Sequence, residues 1–131
     1  MTAVDTNVVV RLLTGDDARQ TARAAALFRN EEIWLSKSVI LETEWVLRSL
    51  YRFRGEELSA ALLALTSLPN VRVEDPAAVS RALQWTTLGM DFADALHLAS
   101  KGESEEFLTF DEKLVKRANE LGVSGAALLY V

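Results

Sequence analysis

The chain has no cysteine among its 131 residues. Disulfides, thiolate zinc sites and cysteine nucleophiles are therefore excluded, which is compatible with the cytoplasm. It has a single histidine, His97. That rules out a three-histidine metal site and any mechanism needing two imidazoles. A serine triad would have to use His97, and no Gly-x-Ser-x-Gly elbow accompanies it. Long apolar runs are also missing, none approaching the roughly 18 residues of a membrane span. The opening residues run straight into Val4 and Asp5, without a basic region followed by a long apolar one, so no signal peptide is expected. Prolines are scarce: Pro69 and Pro76 are the only two, both at turn-like positions.

What is present suits one ordinary domain over residues 1–131. Half of the chain is hydrophobic and a quarter is charged, enough for a core and a soluble surface. The net charge of −5 argues against passive binding to duplex DNA. It weighs less against a nuclease. If four acids hold metal, 19 − 4 = 15 acids face 14 bases.

Short apolar runs alternate with helical periods, which reads as α/β with a parallel sheet. Strands are expected at 2–5, 33–35, 71–73 and 107–109, with a possible fifth at 127–130. Residues 8–13 are ambiguous, because the valines favour a strand over a stretch of only six residues. Asp16 or Asp17 should cap a helix to about Asn30, with Ala18, Thr21, Ala22, Ala25 and Phe28 on its apolar side. Ser36 or Ser38 should begin a helix through about Phe53, ended by Gly55. Leu58, Ala61, Leu62, Leu65 and Leu68 mark the next. Asp75-Pro76 opens a helix to about Thr87, a short one covers 92–100, and Asp111 caps a last one to about Leu121.

Four carboxylates sit at the borders of these apolar segments: Asp5, Glu42, Asp94 and Asp111. An unpaired acid beside buried surface costs several kcal/mol or neutralises itself. A shared divalent cation relieves several such acids at once, and oxygen-only ligands favour Mg²⁺ or Mn²⁺. Each acid also has a plain structural reading. Asp5 suits a turn. Glu42 shares a stripe with Val39, Val46, Leu50 and Phe53, so it could be buried against an arginine, whereas Glu44 looks like solvated charge. Asp91 and Asp94 fit the N-cap and third residue of a helix, and Asp111 fits an N-cap that Thr109 could orient. The cations Arg48, Arg52, Arg54, Lys113, Lys116 and Arg117 form loose groups. Most suit solvated faces, and some suit a phosphate backbone.

Val-Asp-Thr-Asn-Val near the N-terminus, Glu42 early in a helix, Asp-Phe-Ala-Asp-Ala-Leu-His-Leu-Ala and Thr-Phe-Asp together resemble the PIN-domain ribonucleases, and most closely the VapC toxins of toxin–antitoxin pairs. The resemblance spans residues 2 to about 122. It implies a three-layer α/β/α fold, with a central parallel sheet of four to five strands, helices on both faces and the acids at the carboxyl edge of the sheet. It also makes 8–13 a helix. It carries a metal-ligand role in an Mg²⁺- or Mn²⁺-dependent endoribonuclease onto Asp5, Glu42, Asp94 and Asp111. Asp91 follows as a supplementary ligand or one step behind the metal, with Thr6, Asn7 and Thr109 as hydrogen-bonding supports. It further implies a cytoplasmic homodimer, an RNA substrate and a VapB-like antitoxin whose C-terminal segment lies near the acids. The apolar helix at 58–68 is a candidate interface for dimer or antitoxin.

Two rivals use other chemistry. In the first, the fold is a non-catalytic protein-binding module whose acids are caps and ion-pair partners. In the second, Asp5 is a phosphotransfer nucleophile. That mechanism expects another acid two residues on, where this chain has Asn7, and a phosphate-binding lysine that is not evident.

Overall fold

Val9 and Val10 are buried, although their stretch favours a strand on propensity alone. In the computed structural model, which describes residues 1–130, β1 (Thr2–Ala3) is followed at once by α1 (Thr6–Thr14), which contains both valines. Asp5 starts α1, its carboxylate accepting the Val8 N–H at 3.2 Å. Gly15 ends it in the left-handed region (φ 66) and donates its N–H to the Arg11 carbonyl at 3.0 Å. Valine costs about 0.5 kcal/mol per residue in a helix relative to alanine. Burying two valine side chains, at about 1.5 kcal/mol or more each, outweighs that.

The chain divides into two compact units, residues 1–76 and the residues from 77 on. The first continues with α2 (Ala18–Asn30), β2 (Ile33–Leu35), α3 (Lys37–Ser49), α4 (Gly55–Thr66) and β3 (Val71–Val73). Its three strands are parallel in the order β1-β2-β3, with Thr2 opposite Ile33 and Ile33 opposite Val71. Parallel neighbours need long crossovers, and each connection here is a pair of helices. Ile33, Leu35, Ile40, Leu47, Leu62 and Leu65 form much of its core.

The second unit holds α5 (Pro76–Thr87, starting at the last residue of the first), α6 (Phe92–Ala99), β4 (Phe107–Thr109), α7 (Glu112–Glu120) and β5 (Ala126–Leu128). β4 and β5 pair in parallel, Phe107 opposite Ala126, and α7 connects them. Phe92, Ala95 and Leu98 of α6 are buried, as are Leu114 and Ala118 of α7.

Among the described residues this is an α/β fold with seven helices and parallel strands. The strands lie where the pattern put them, but they hydrogen-bond as a three-stranded and a two-stranded set rather than as one sheet of four to five. Each is only two or three residues long. Apolar pattern locates such strands; pairing depends on where the crossovers return them.

Three local expectations are corrected. Ala18 and Ala22 of α2 are exposed, and its buried positions are Ala24 and Phe28. Gly55 opens α4 instead of closing the helix before it, which ends at Ser49 with Leu50 as its C-cap. The third concerns the face of α3. Its buried residues are Ile40, Thr43, Glu44 and Leu47, while Glu42 is exposed. Glu44 is 4% exposed and takes a two-pronged contact from Arg48, Nε at 2.9 Å and Nη2 at 3.3 Å. The buried glutamate–arginine pair considered for Glu42 therefore belongs to Glu44. Ile40, Thr43 and Leu47 repeat the i, i+3, i+7 spacing of the stripe through Glu42 one residue on, and theirs is the one that is buried.

Glu44→Gln should lower unfolding free energy by about 1–2 kcal/mol, because a charge-assisted pair at a buried position is weakened. Glu42→Gln should stay within about 0.5 kcal/mol of the parent, as an exposed position. Urea midpoints at constant m-value read the difference.

Candidate functional site

Four helices start at an aspartate whose side chain accepts backbone N–H groups: Asp5, Asp17, Asp91 and Asp111. The first four N–H groups of a helix lack internal partners, and a carboxylate at the cap satisfies one or two of them. Three of these aspartates are also candidate ligands.

In the first unit Asp5 uses Oδ1 for the Val8 N–H. Next to it, the buried Thr6 donates its hydroxyl to Glu42 Oε1, which ties α1 to α3. Glu42 itself is exposed. Asn7 is exposed. Asp5 and Asn7 line a cavity of about 980 Å³ with Arg11, Arg19, Gln20 and Arg23. A network at one end of it escaped the sequence reading. Arg11 donates to Gln20 Oε1 at 2.8 Å and to the Tyr51 hydroxyl at 3.0 Å, and Tyr51 donates to Asp16 Oδ2 at 2.8 Å. Arg11 and Tyr51 are 40 residues apart, so no helical or strand period connects them.

In the second unit the Asp94 N–H donates to Asp91 Oδ2 at 3.1 Å, so Asp91 is an N-cap. Asp111 Oδ1 takes the N–H groups of Lys113 at 3.0 Å and Leu114 at 3.1 Å. Thr109 holds Asp111 through the backbone, its hydroxyl accepting the Asp111 N–H at 3.0 Å. Asp91, Asp94 and Asp111 line one cavity of about 390 Å³. Burial pushes the Asp94 carboxyl above its ordinary value of 3.8, and the charges of Asp91 and then Asp111 push it further the same way. His97, exposed one turn along α6, pulls it back down.

Capping leaves much of this oxygen surface open. Asp5 Oδ2, Glu42 Oε2, Asp91 Oδ1, Asp111 Oδ2 and both oxygens of Asp94 have no hydrogen-bond donor among the described residues. An ionised carboxylate has about four acceptor positions, so capping a helix and binding a further partner are compatible.

A family model for the PIN domain matches residues 2–120, through both units, and the chain belongs to that family. No curated protein matches it significantly. Among solved structures it is similar to Mycobacterium tuberculosis VapC20, a toxin described as cleaving the sarcin–ricin loop. That match has 20% identity and a TM-score of 0.46, over 99% of this chain and 90% of the other.

The donor set suits a hard dication in chemistry, being all oxygen and, at Asp94, under mutual repulsion. Among the described residues no group of three or more His, Cys, Asp or Glu is placed to hold one ion.

The raised Asp94 carboxyl has a thermodynamic consequence. The folded state holds this proton more tightly than the unfolded chain, so ionising Asp94 lowers stability as pH rises above 3.8. Without metal, Asp94→Asn should melt higher than the parent at pH 7. The gap should narrow as pH falls through 3.8 and close below it, where the Asp94 carboxyl is neutral in both states. Calorimetric melting curves from pH 3.5 to 7 check the sign, on the order of a few degrees.

Proposed function

We propose that the chain, as a single PIN domain over residues 1–131, is a metal-dependent endoribonuclease acting as the toxin of a toxin–antitoxin pair. In this reading Asp5, Glu42, Asp94 and Asp111 are the ligands of Mg²⁺ or Mn²⁺, with Asp91 as a supplementary group. The observation that carries it is Asp94: three carboxylates line one cavity, two of them raise its pKa, and no base lies within ion-pair distance of any of the three. Uncompensated acids of this kind are more common at functional sites than elsewhere. Family membership, with the acids in the expected order along the chain, supports the same reading.

When bound, a hard dication supplies charge neutralisation at the phosphate and acidifies the attacking water. The protein's own part is to keep carboxylate oxygens oriented. Thr6 holds one oxygen of Glu42, and the helix-capping bonds hold one oxygen each of Asp5, Asp91 and Asp111. Thr109 fixes the backbone at Asp111. Asp94 makes no such bond, and burial with the charges of Asp91 and Asp111 raises its carboxyl above the ordinary value. Activity should therefore fall as pH drops towards the Asp94 value.

The proposal extends to a VapB-like antitoxin, a homodimer and a cytoplasmic setting. Leu63 and Leu68 are exposed on and just after α4, at 59% and 37%, which supports that helix as an interface. No described helix is long and apolar enough to cross a membrane.

A second reading draws on the capping bonds. Asp5, Asp91 and Asp111 each satisfy a helix terminus, and a non-catalytic binding module needs no more than that. Cleavage separates the two. With Mn²⁺ and a generic single-stranded RNA, purified protein should cut, and EDTA should stop it. Asp5→Ala and Asp94→Asn, purified identically, should lose at least about 100-fold, since even the groups behind a metal ligand account for about 10- to 100-fold. Mn²⁺ should also raise the parent's melting temperature and leave Asp94→Asn unmoved. Cutting that persists in both variants, or equal melting shifts in parent and variant, would overturn the ligand assignment.

A further inference from the structure

Lys113, Lys116, Arg117 and Glu120 all line the cavity that holds Asp91, Asp94 and Asp111. Their spacing of i, i+3, i+4 and i+7 puts them on one face of α7, while Leu114 and Ala118 are buried. Arg117 is already engaged. Its Nη1 donates to Glu120 at 3.0 Å, and its guanidinium lies against Gly89, where an added Cβ would stand 3.5 Å from Cζ. Lys113 and Lys116 are different. Both are exposed, and among the described residues neither ammonium makes an ion pair or hydrogen bond. Three acids share their cavity, yet none of their carboxylates lies within 4 Å of either ammonium.

One cavity thus holds two sets of opposite charge that do not neutralise each other. Its complement is a cation at the acids beside an anion at the lysines. We propose that Lys113 and Lys116 grip backbone phosphates of the RNA, beside the acids that hold the cation. This rests on the nuclease reading and adds to it the part of the site that holds the substrate. Lysine is a mobile, strongly hydrated point charge, suited to phosphate contact without base preference. The two are positioning residues: they place the strand and do not touch the reacting atoms.

Binding can be tested apart from cleavage. The probe is a short fluorescent single-stranded RNA, titrated by anisotropy in Mg²⁺ against Asp94→Asn protein across a range of salt. Adding Lys113→Ala and Lys116→Ala should weaken binding about tenfold and lower the salt slope by about 1.4, that is, about 0.7 per lost phosphate contact. Lys113→Arg with Lys116→Arg should restore the slope. In the otherwise native chain the alanine pair should raise KM and leave kcat within about twofold, with an unchanged melting temperature. An unchanged slope and affinity overturns the lysine assignment, even if the parent cuts RNA and Asp94→Asn does not. The nuclease reading fails separately, if the parent does not cut with either ion while the slope still responds to the lysines. Absence of RNA binding altogether overturns the inference.

Discussion

The N–H groups at a helix start need acceptors, and this chain meets that need with aspartate four times. A carboxylate at a helix N-terminus also gains from the partial positive charge there, on the order of 0.3–1 kcal/mol. The same bond fixes the rotamer of the side chain. A capped helix therefore comes with an acid held at a defined place and one oxygen still open. At Asp5, Asp91 and Asp111 structure and candidate chemistry use different atoms of one group, and asking whether each is a cap or a ligand sets up a false choice.

Asp94 is the exception that gives the site its character. It lies in the first turn of α6, makes no side-chain hydrogen bond, and faces the repulsion of Asp91 and Asp111. Only His97, exposed one turn further along the helix, offsets part of that cost. Two lysines line the same cavity without approaching it. Groups arranged only for stability would pair, because an ion pair at 4 Å gains about 1 kcal/mol even in water. Glu44 and Arg48 show the stabilising arrangement within the same chain: an acid at a buried position, answered by an arginine one turn on.

Legibility from sequence was uneven, and the pattern has physical causes. Caps are local, requiring only a residue type at a helix start, so Asp91 and Asp111 were readable as written and Ser36 as one of two candidates. The helix through Val9 and Val10 was not readable from propensity; the resemblance supplied it, and burial explains it. On α3 two stripes competed. The one through Glu42 looked apolar because Val39, Val46, Leu50 and Phe53 lie on it, yet Leu50 is 65% exposed. A stripe can be apolar without being the face that packs. Gly55 shows the same ambiguity at a boundary, since its left-handed φ of 46 serves the loop into a helix as well as the end of one.

By itself the sequence determined the alternation of strands and helices, most boundaries to within a few residues, and the identity of the acids. These follow from periodicity and from end chemistry, both short-range. Only the tertiary structure decided which strands pair, which face of α3 is buried, that Glu44 rather than Glu42 takes the arginine, and that three acids and two unpaired lysines line one cavity. Those outcomes depend on groups brought together from positions far apart in the chain. Their energies come from burial and from charges a few ångströms apart, neither of which a residue's neighbours in sequence specify.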